Sequence, residues 1–314
     1  MKKFVLSLFL SLSFIFAANA QDLESATNLY NAGAMALNDG NIAEALKNFE
    51  SALDEAMVIG PEADQLKTNC EKQIPFLYNE LGKEAVNTKM YDQALELFNK
   101  AIEKGNAFGD TDIVNEVNSV IPQVIFAKGN AQLNAKNFHG AIDEYKKVIE
   151  LDPSHAMAYL RLGTCAFQIN DEATALDALA KAAELGQDKN ANKTASNYFV
   201  KKANTAFKAK KMDEAISNAK KSVEYLPSPN GYKIWGSASM AAKKYDEAIA
   251  AYESYVAAVP NAKDINNSLF SLAQAYEAKG DKEKACGYYK QIMTVPGQIG
   301  EFATYQVKTA LKCN

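Results

Sequence analysis

Enzymatic chemistry needs groups that converge: a nucleophile beside a base, paired carboxylates in one pocket, or metal ligands at close spacing. This sequence holds two histidines, His139 in a turn beside Phe138 and His155 just after Pro153 at a helix start. Neither has a ligand-like partner nearby, so His139 reads as a solvated turn residue and His155 as a helix-start residue. There is no glycine-rich phosphate loop, no Cys-x-x-Cys pair and no nucleophile elbow. The carboxylates are spread over exposed helix positions, where a solvated face is the default. The runs Lys208-Ala209-Lys210-Lys211 and Lys243-Lys244 fall at helix C-terminal ends, where lysine complements the helix dipole. The chain therefore reads as non-enzymatic, with no catalytic, cofactor-binding or metal-binding residues and no cofactor.

How the four cysteines behave depends on compartment, and the N-terminus speaks to that. Lys2 and Lys3 precede an uncharged apolar run from Phe4 to Phe16, then Ala18-Asn19-Ala20, the pattern of a cleaved secretory signal over residues 1–20. The run is shorter than the roughly 20 apolar residues that a spanning helix needs, so no transmembrane segment is expected. No cysteine follows the cleavage site before Cys70, which argues against a lipid anchor. Removing the signal leaves 32 basic and 38 acidic residues, a formal charge of −6. An acidic exported chain is a poor nucleic-acid binder. Export permits disulfides, and four cysteines allow three complete pairings. Cys286 lies near the start of one helix and Cys313 near the end of the next, positions that antiparallel neighbours bring level, so Cys286 with Cys313 is the candidate disulfide. Cys70 and Cys165 read as buried small hydrophobes.

The elements that would position any site come from a repeated pattern, clearest in Tyr245 to Pro260, YDEAIAAYESYVAAVP. Tyr245, Ala248, Tyr252 and Tyr255 recur at three or four residues and form one stripe of a helix. Upstream, Gly231 to Lys244 carries a second helical pattern through Tyr232, Trp235, Gly236 and Ser239, so the two make a helix hairpin. A small first-helix residue recurs at Gly33, Gly82, Gly129, Gly163, Ala203, Gly236 and Ala273. Twelve residues on stands Ala45, Ala94, Ala141, Ala175, Ala215, Ala248 or Ala285, and four further on Phe49, Phe98, Tyr145, Leu179, Ala219, Tyr252 or Tyr289. The small pair lets two helix axes approach, and the larger residue plugs the hairpin in every unit but that of Ala219.

With a period of 34 residues from Ala141 to Ala175 and closing prolines at Pro153, Pro227 and Pro260, this pattern resembles the tetratricopeptide-repeat family. The resemblance extends from about Leu23 to Val295. It implies an all-α solenoid of about seven helix-turn-helix repeats in a right-handed superhelix, as in a secreted bacterial member. The family's frequent early tryptophan is replaced by Leu29, Tyr78, Ile125, Tyr159, Phe199, Tyr232 and Leu269. The resemblance also implies a concave groove lined by the outward face of each first helix. Those positions are Tyr30, Asn79, Lys83, Phe126 and Asn130, then Arg161, Thr164, Phe167, Val200, Asn204 and Phe207, and finally Lys233, Ser237, Phe270 and Gln274. Asn130 and Asn204, with Arg161 and Lys233, resemble in part the carboxylate-holding grooves of some members, without the spacing of a full clamp.

Read in order, residues 21–58 form the first repeat and residues 61–135 a lengthened second and third. Residues 136–295 hold the remaining repeats, and 298–313 a capping helix with an apolar face at Phe302, Tyr305, Val307 and Leu311. The extra segments, Pro61 to Gln73 and Asp110 to Val120, lead into Pro75 and Pro122, where a kink or break is expected. They add either stacked helix or, alternatively, a ledge for a partner. Lys189 to Asn197 reads as a polar loop or frayed helix start.

These features favour an exported scaffold of the bacterial cell envelope, periplasmic, envelope-associated or extracellular, that binds a protein or peptide in its groove. A glycan-binding accessory or regulatory subunit of an envelope enzyme is the alternative. It requires Phe126, Phe167 and Phe207 to form an exposed stacking platform.

Overall fold

The small-residue register decides how each hairpin closes. In a computed structural model, which describes residues 20–313, a Cβ added to Gly82 would meet Phe98 at 2.5 Å, one on Gly129 would meet Tyr145 at 2.7 Å, and one on Gly236 would meet Tyr252 at 2.8 Å. Each plug ring thus lies flat against bare backbone, and Phe49, Phe98, Tyr145 and Tyr289 are fully buried. The expected signal, residues 1–20, lies outside the described residues apart from Ala20.

The chain divides into two compact units, Met1–Ala158 and Tyr159–Asn314. The first contains three hairpins: α1 (Ala20–Asn38) with α2 (Ile42–Ile59), α3 (Asp64–Asn87) with α4 (Tyr91–Phe108), and α5 (Thr111–Asn134) with α6 (Phe138–Leu151). The boundary falls in the first turn of α7 (Ala156–Gln168). The second unit continues with α8 (Glu172–Ala182), α9 (Asp188–Lys208), α10 (Met212–Tyr225), α11 (Pro229–Ala241), α12 (Tyr245–Ala258), α13 (Ile265–Ala278), α14 (Lys282–Ile292) and α15 (Gln298–Tyr305). No strand occurs among the described residues, and the architecture is an all-α repeat of helix hairpins.

Every hairpin turns in the same way. Gly40, Lys89, Lys136, Asn170, Lys210, Lys243 and Gly280, each five residues before the marker alanine, take φ between 59° and 80°. The next amide then donates back five residues, as from Asn41 to the Ala36 carbonyl and from Lys244 to that of Ser239, both at 2.8 Å. This is the left-handed C-terminal motif that satisfies the last carbonyls of a helix. In four of the seven turns a lysine adopts a conformation that favours glycine. Side-chain caps then start several second helices: Asn41, Asn137, Asp171 and Asp281 each accept a hydrogen bond from the amide three residues on.

Four expectations are corrected. The break alternative fails at Pro75 and Pro122, which lie inside α3 and α5. A proline there forfeits one backbone hydrogen bond, but the added turns bury Leu66, Cys70 and Ile74 in α3 and Ile113 and Val117 in α5 within one apolar core, and that burial outweighs the loss. Lys189 to Asn197 is helix, not loop, because Ala191, Ala195, Phe199 and Ala203 form one buried stripe along α9. The break comes earlier, at Gly186, with φ 89°. In the C-terminal segment, α15 and the turn Gln306–Ala310 bury Gly300, Ala303, Gln306 and Val307, while Tyr305 is 56% and Phe302 39% exposed. Val307 and Leu311 pack on the last hairpin's core as expected, while Gly300 and Ala303 seat the helix closest to it and Tyr305 points outward. His139 also stands in the first turn of α6, exposed, and not in the preceding loop.

Candidate functional site

The outward positions of the first helices are divided by what the neighbouring repeat supplies. In the first unit Tyr30 is buried with its ring 5.2 Å from Phe49. Asn79 is fully buried and donates to Glu116 at 2.9 Å. Lys83 donates to Glu80 and Glu116, both at 2.8 Å. Burial opposes the Lys83 charge, yet the two carboxylates more than offset it and hold its pKa above the ordinary value. Glu116 is held below its ordinary value, chiefly by the Lys83 hydrogen bond. Phe126 is half-buried between Tyr145, at 5.6 Å, and His155, at 4.9 Å. Asn130 accepts from the Tyr145 hydroxyl at 2.9 Å. His155 in turn caps α7, its Nδ1 accepting from the Ala158 amide at 3.1 Å. Asn79 and Lys83 thus tie one hairpin to the next, while Tyr30 and Asn130 close their own.

In the second unit Thr164 donates to the Leu160 carbonyl of its own helix at 2.8 Å. Phe167 is buried, stacked on Tyr198 with centroids 3.8 Å apart. Val200 is half-buried, as is Phe207, which packs on the core of Ala206, Ala215, Ile216 and Ala238. Lys233 donates to Asp264, which also accepts from the Tyr255 hydroxyl at 2.6 Å and is held below its ordinary pKa first by Lys233. Ser237 meets the Tyr252 hydroxyl at 3.2 Å. Phe270 packs edge-on to Phe302, and Gln274 is half-buried. Arg161 and Asn204 stay exposed, and Arg161 is ion-paired with no described residue. The structure therefore does not assemble the expected aromatic and basic groove: Asn79 and Phe167 are interior, and Lys83 and Lys233 are neutralised by carboxylates one repeat further on. With Phe167 buried and Phe126 and Phe207 half-covered, the stacking platform that a glycan reading requires is not formed.

Sequence reasoning missed the outward face of α9, where Lys189, Lys193, Asn197, Lys201, Asn204 and Lys208 are all exposed. A regular spacing of three or four is the available signal, and a polar stretch without large apolar residues at the start of this helix hides it.

The thiols offer no reactivity. Burial pushes Cys70 up to about 12 and Cys165 up to about 11, so both stay protonated at neutral pH. Cys286 and Cys313 are joined as a disulfide with Cα atoms 5.7 Å apart. Among the described residues no group of three or more His, Cys, Asp or Glu is placed to hold a metal ion, and no helix is long and apolar enough to cross a membrane.

A family profile described as tetratricopeptide repeat matches residues 126–190, 200–263 and 235–294, more than half of the chain, and a second of the same description matches 77–103. The chain belongs to the tetratricopeptide-repeat family. It is 30% identical over 121 residues to heat shock protein STI1 of Saccharomyces cerevisiae, covering 35% of this chain and 18% of that protein. The chain thus spans less than a fifth of the length of that relative. Among solved structures, the tetratricopeptide-repeat protein YrrB, described as having an unusual peptide-binding site, is 18% identical over 66% of this chain and 97% of its own, with a TM-score of 0.32. A crystal structure of MamA is 22% identical over 61% of this chain and 96% of its own, with a TM-score of 0.35. Tetratricopeptide-repeat proteins typically mediate protein–protein interactions.

Proposed function

We propose that this protein is a non-enzymatic scaffold of the bacterial cell envelope, exported by residues 1–20, that binds a protein or peptide segment along the outward face of its first helices. The observation that carries this reading is the contrast within that face. Most of its polar groups are spent on contacts within the chain, yet Arg161, the only arginine in the sequence, and Asn204 remain exposed. Side chains that neither pack nor pair are the ones free to meet a partner, an arginine through its planar fork and an amide through a peptide backbone. The lysine-led apolar N-terminus and the acidic net charge support an exported protein-binding role over a nucleic-acid one.

The test is a crosslinking pull-down from envelope fractions, using tagged chain expressed with its own leader beside an Arg161→Ala, Asn204→Ala variant. A protein partner held by the wild type and weakened in the variant is expected. A wild type that captures no protein overturns the scaffold reading. N-terminal sequencing of the envelope-fraction protein should begin at Gln21. A cytoplasmic product that retains Met1 would sink the export assignment.

A further inference from the structure

The first helices of the second unit are basic when taken together. Along α7, α9, α11 and α13 stand seven cationic side chains against two carboxylates, Asp188 and Glu277, although the whole chain has a formal charge of −4. The paired second helices α8, α10, α12 and α14 together hold nine carboxylates against six lysines, with α12 carrying Asp246, Glu247 and Glu253 and no lysine, and α14 three lysines and one glutamate.

That excess stands on α9, which carries five of the seven cations. Lys189, Lys193, Asn197, Lys201, Asn204 and Lys208 follow one another at intervals of three or four residues, all exposed, opposite the buried stripe of that helix. They form a single row about 29 Å long at about 1.5 Å per residue. None of its four lysines is ion-paired with a described residue, whereas Lys202, on another side of the helix, is bound to Glu172 at 2.6 Å.

We propose that this row is the docking surface for an acidic, extended peptide segment of the partner protein, with carboxylates on alternate residues. The inference rests on the scaffold reading above and names the chemistry of its partner. Residues four apart on a helix are about 6 Å apart along the axis, and same-side residues of an extended chain are about 6.6 Å apart. Carboxylates at every second position therefore stay near register with Lys189, Lys193 and Lys201 within the reach of flexible lysine stems. Asn197 and Asn204 fall between the charges, where their amides can pair with the peptide backbone. A uniform polyphosphate would leave those amides without that match. Four like charges held in one row also attract an acidic partner before contact, so association falls as salt rises.

The test uses a fluorescein-labelled peptide of about nine residues with glutamate at alternate positions, enough to run the length of the row, and its glutamine counterpart. A single-stranded oligonucleotide is the third probe, and anisotropy with the purified chain is the readout. The glutamate peptide should bind at least about ten-fold more tightly than the glutamine one, and less tightly at high salt. Lys193→Glu with Lys201→Glu should weaken it by about ten-fold or more, while the same charge change at the exposed Lys72 and Lys146 of the first unit should shift it less than about two-fold. Equal or absent binding of the two peptides, tighter binding of the oligonucleotide, or equal losses in the two variants would overturn the proposal. If a partner captured from the envelope stays fully bound to the Lys193→Glu, Lys201→Glu variant, this surface is refuted while the scaffold reading stands.

Discussion

Replacing Gly82 and Gly33 by alanine separates two effects that usually travel together. Both glycines occupy the same register of a first helix, and both face the plug ring sixteen residues on. At either site alanine gains up to about 1 kcal/mol of helix propensity. The cost differs. A Cβ on Gly33 would stand 3.2 Å from the Phe49 ring, a contact that a shift of a few tenths of an ångström relieves. A Cβ on Gly82 would stand 2.5 Å and 2.7 Å from two atoms of Phe98, a ring with no exposed surface into which to retreat. Overpacking of that kind costs about 1–3 kcal/mol. Gly33→Ala should therefore be neutral or stabilising, and Gly82→Ala less stable than Gly33→Ala by about 1–3 kcal/mol. Urea denaturation followed by far-ultraviolet circular dichroism measures the difference within one unit, provided that the m-values agree. Phe98→Leu added to Gly82→Ala should recover part of the loss, giving a favourable coupling. Two variants equal in stability, or an absence of coupling, would refute the close-approach account of the hairpin.

The turns make an opposite prediction. Lys136→Gly and Lys243→Gly should each stabilise by about 0.5–1 kcal/mol, visible as a raised thermal midpoint, because each lysine is held at φ 59°. Cys286→Ala with Cys313→Ala opens a loop of 27 residues and should cost about 3.5 kcal/mol, with hydrogen-exchange protection lost first in α15. The tyrosines give the alkaline limit. Burial, then a carboxylate hydrogen bond, pushes Tyr255 up to about 12, and Tyr78, Tyr276 and Tyr289 are raised further by the same causes. A raised tyrosine keeps its proton in the folded state after the unfolded chain has lost it, so stability is full below about pH 10 and falls above it. Each of the four should remove about 1.4 kcal/mol per pH unit between about 10 and 12. Urea midpoints unchanged from pH 9 to pH 11 would show that these hydroxyls are not held as described.

Packing constraints made the fold legible. Glycine at 82, alanine at 94 and phenylalanine at 98 are each required by the same crossing of two helices, and a small pair met seven times with a large plug met six times leaves a visible register. The turns left less trace, since nothing in the identity of Lys89 or Lys210 announces a left-handed backbone; only Gly40, Gly280 and Asn170 carry that signal. Pro75 and Pro122 carry a local breaker signal, and the apolar core that holds their helices together is not visible in the residues beside them. The cap misled for a related reason. Phe302 and Tyr305 are its largest apolar side chains, yet close approach selects Gly300 and Ala303 for the contact.

The binding face was legible only in outline, because two requirements compete for the same positions. A first-helix side chain can face outward and still be consumed by the next repeat, as Lys83 is by Glu116 thirty-three residues later and Lys233 by Asp264 thirty-one later. Position within one repeat does not reveal this; the acid stands in the following unit. Once those pairs are removed, the positive charge that survives is concentrated on α9, whose helix begins eight residues before Ser196. The added turns carry Lys189 and Lys193, which extend the row beyond the repeat proper. Burial of Ala191 and Ala195 holds those turns in place, and the lysines they expose have no structural debt to another helix. On this argument the residues that recognise a partner are those left over when the demands of stacking have been met, and they become visible only after the stacking itself is known.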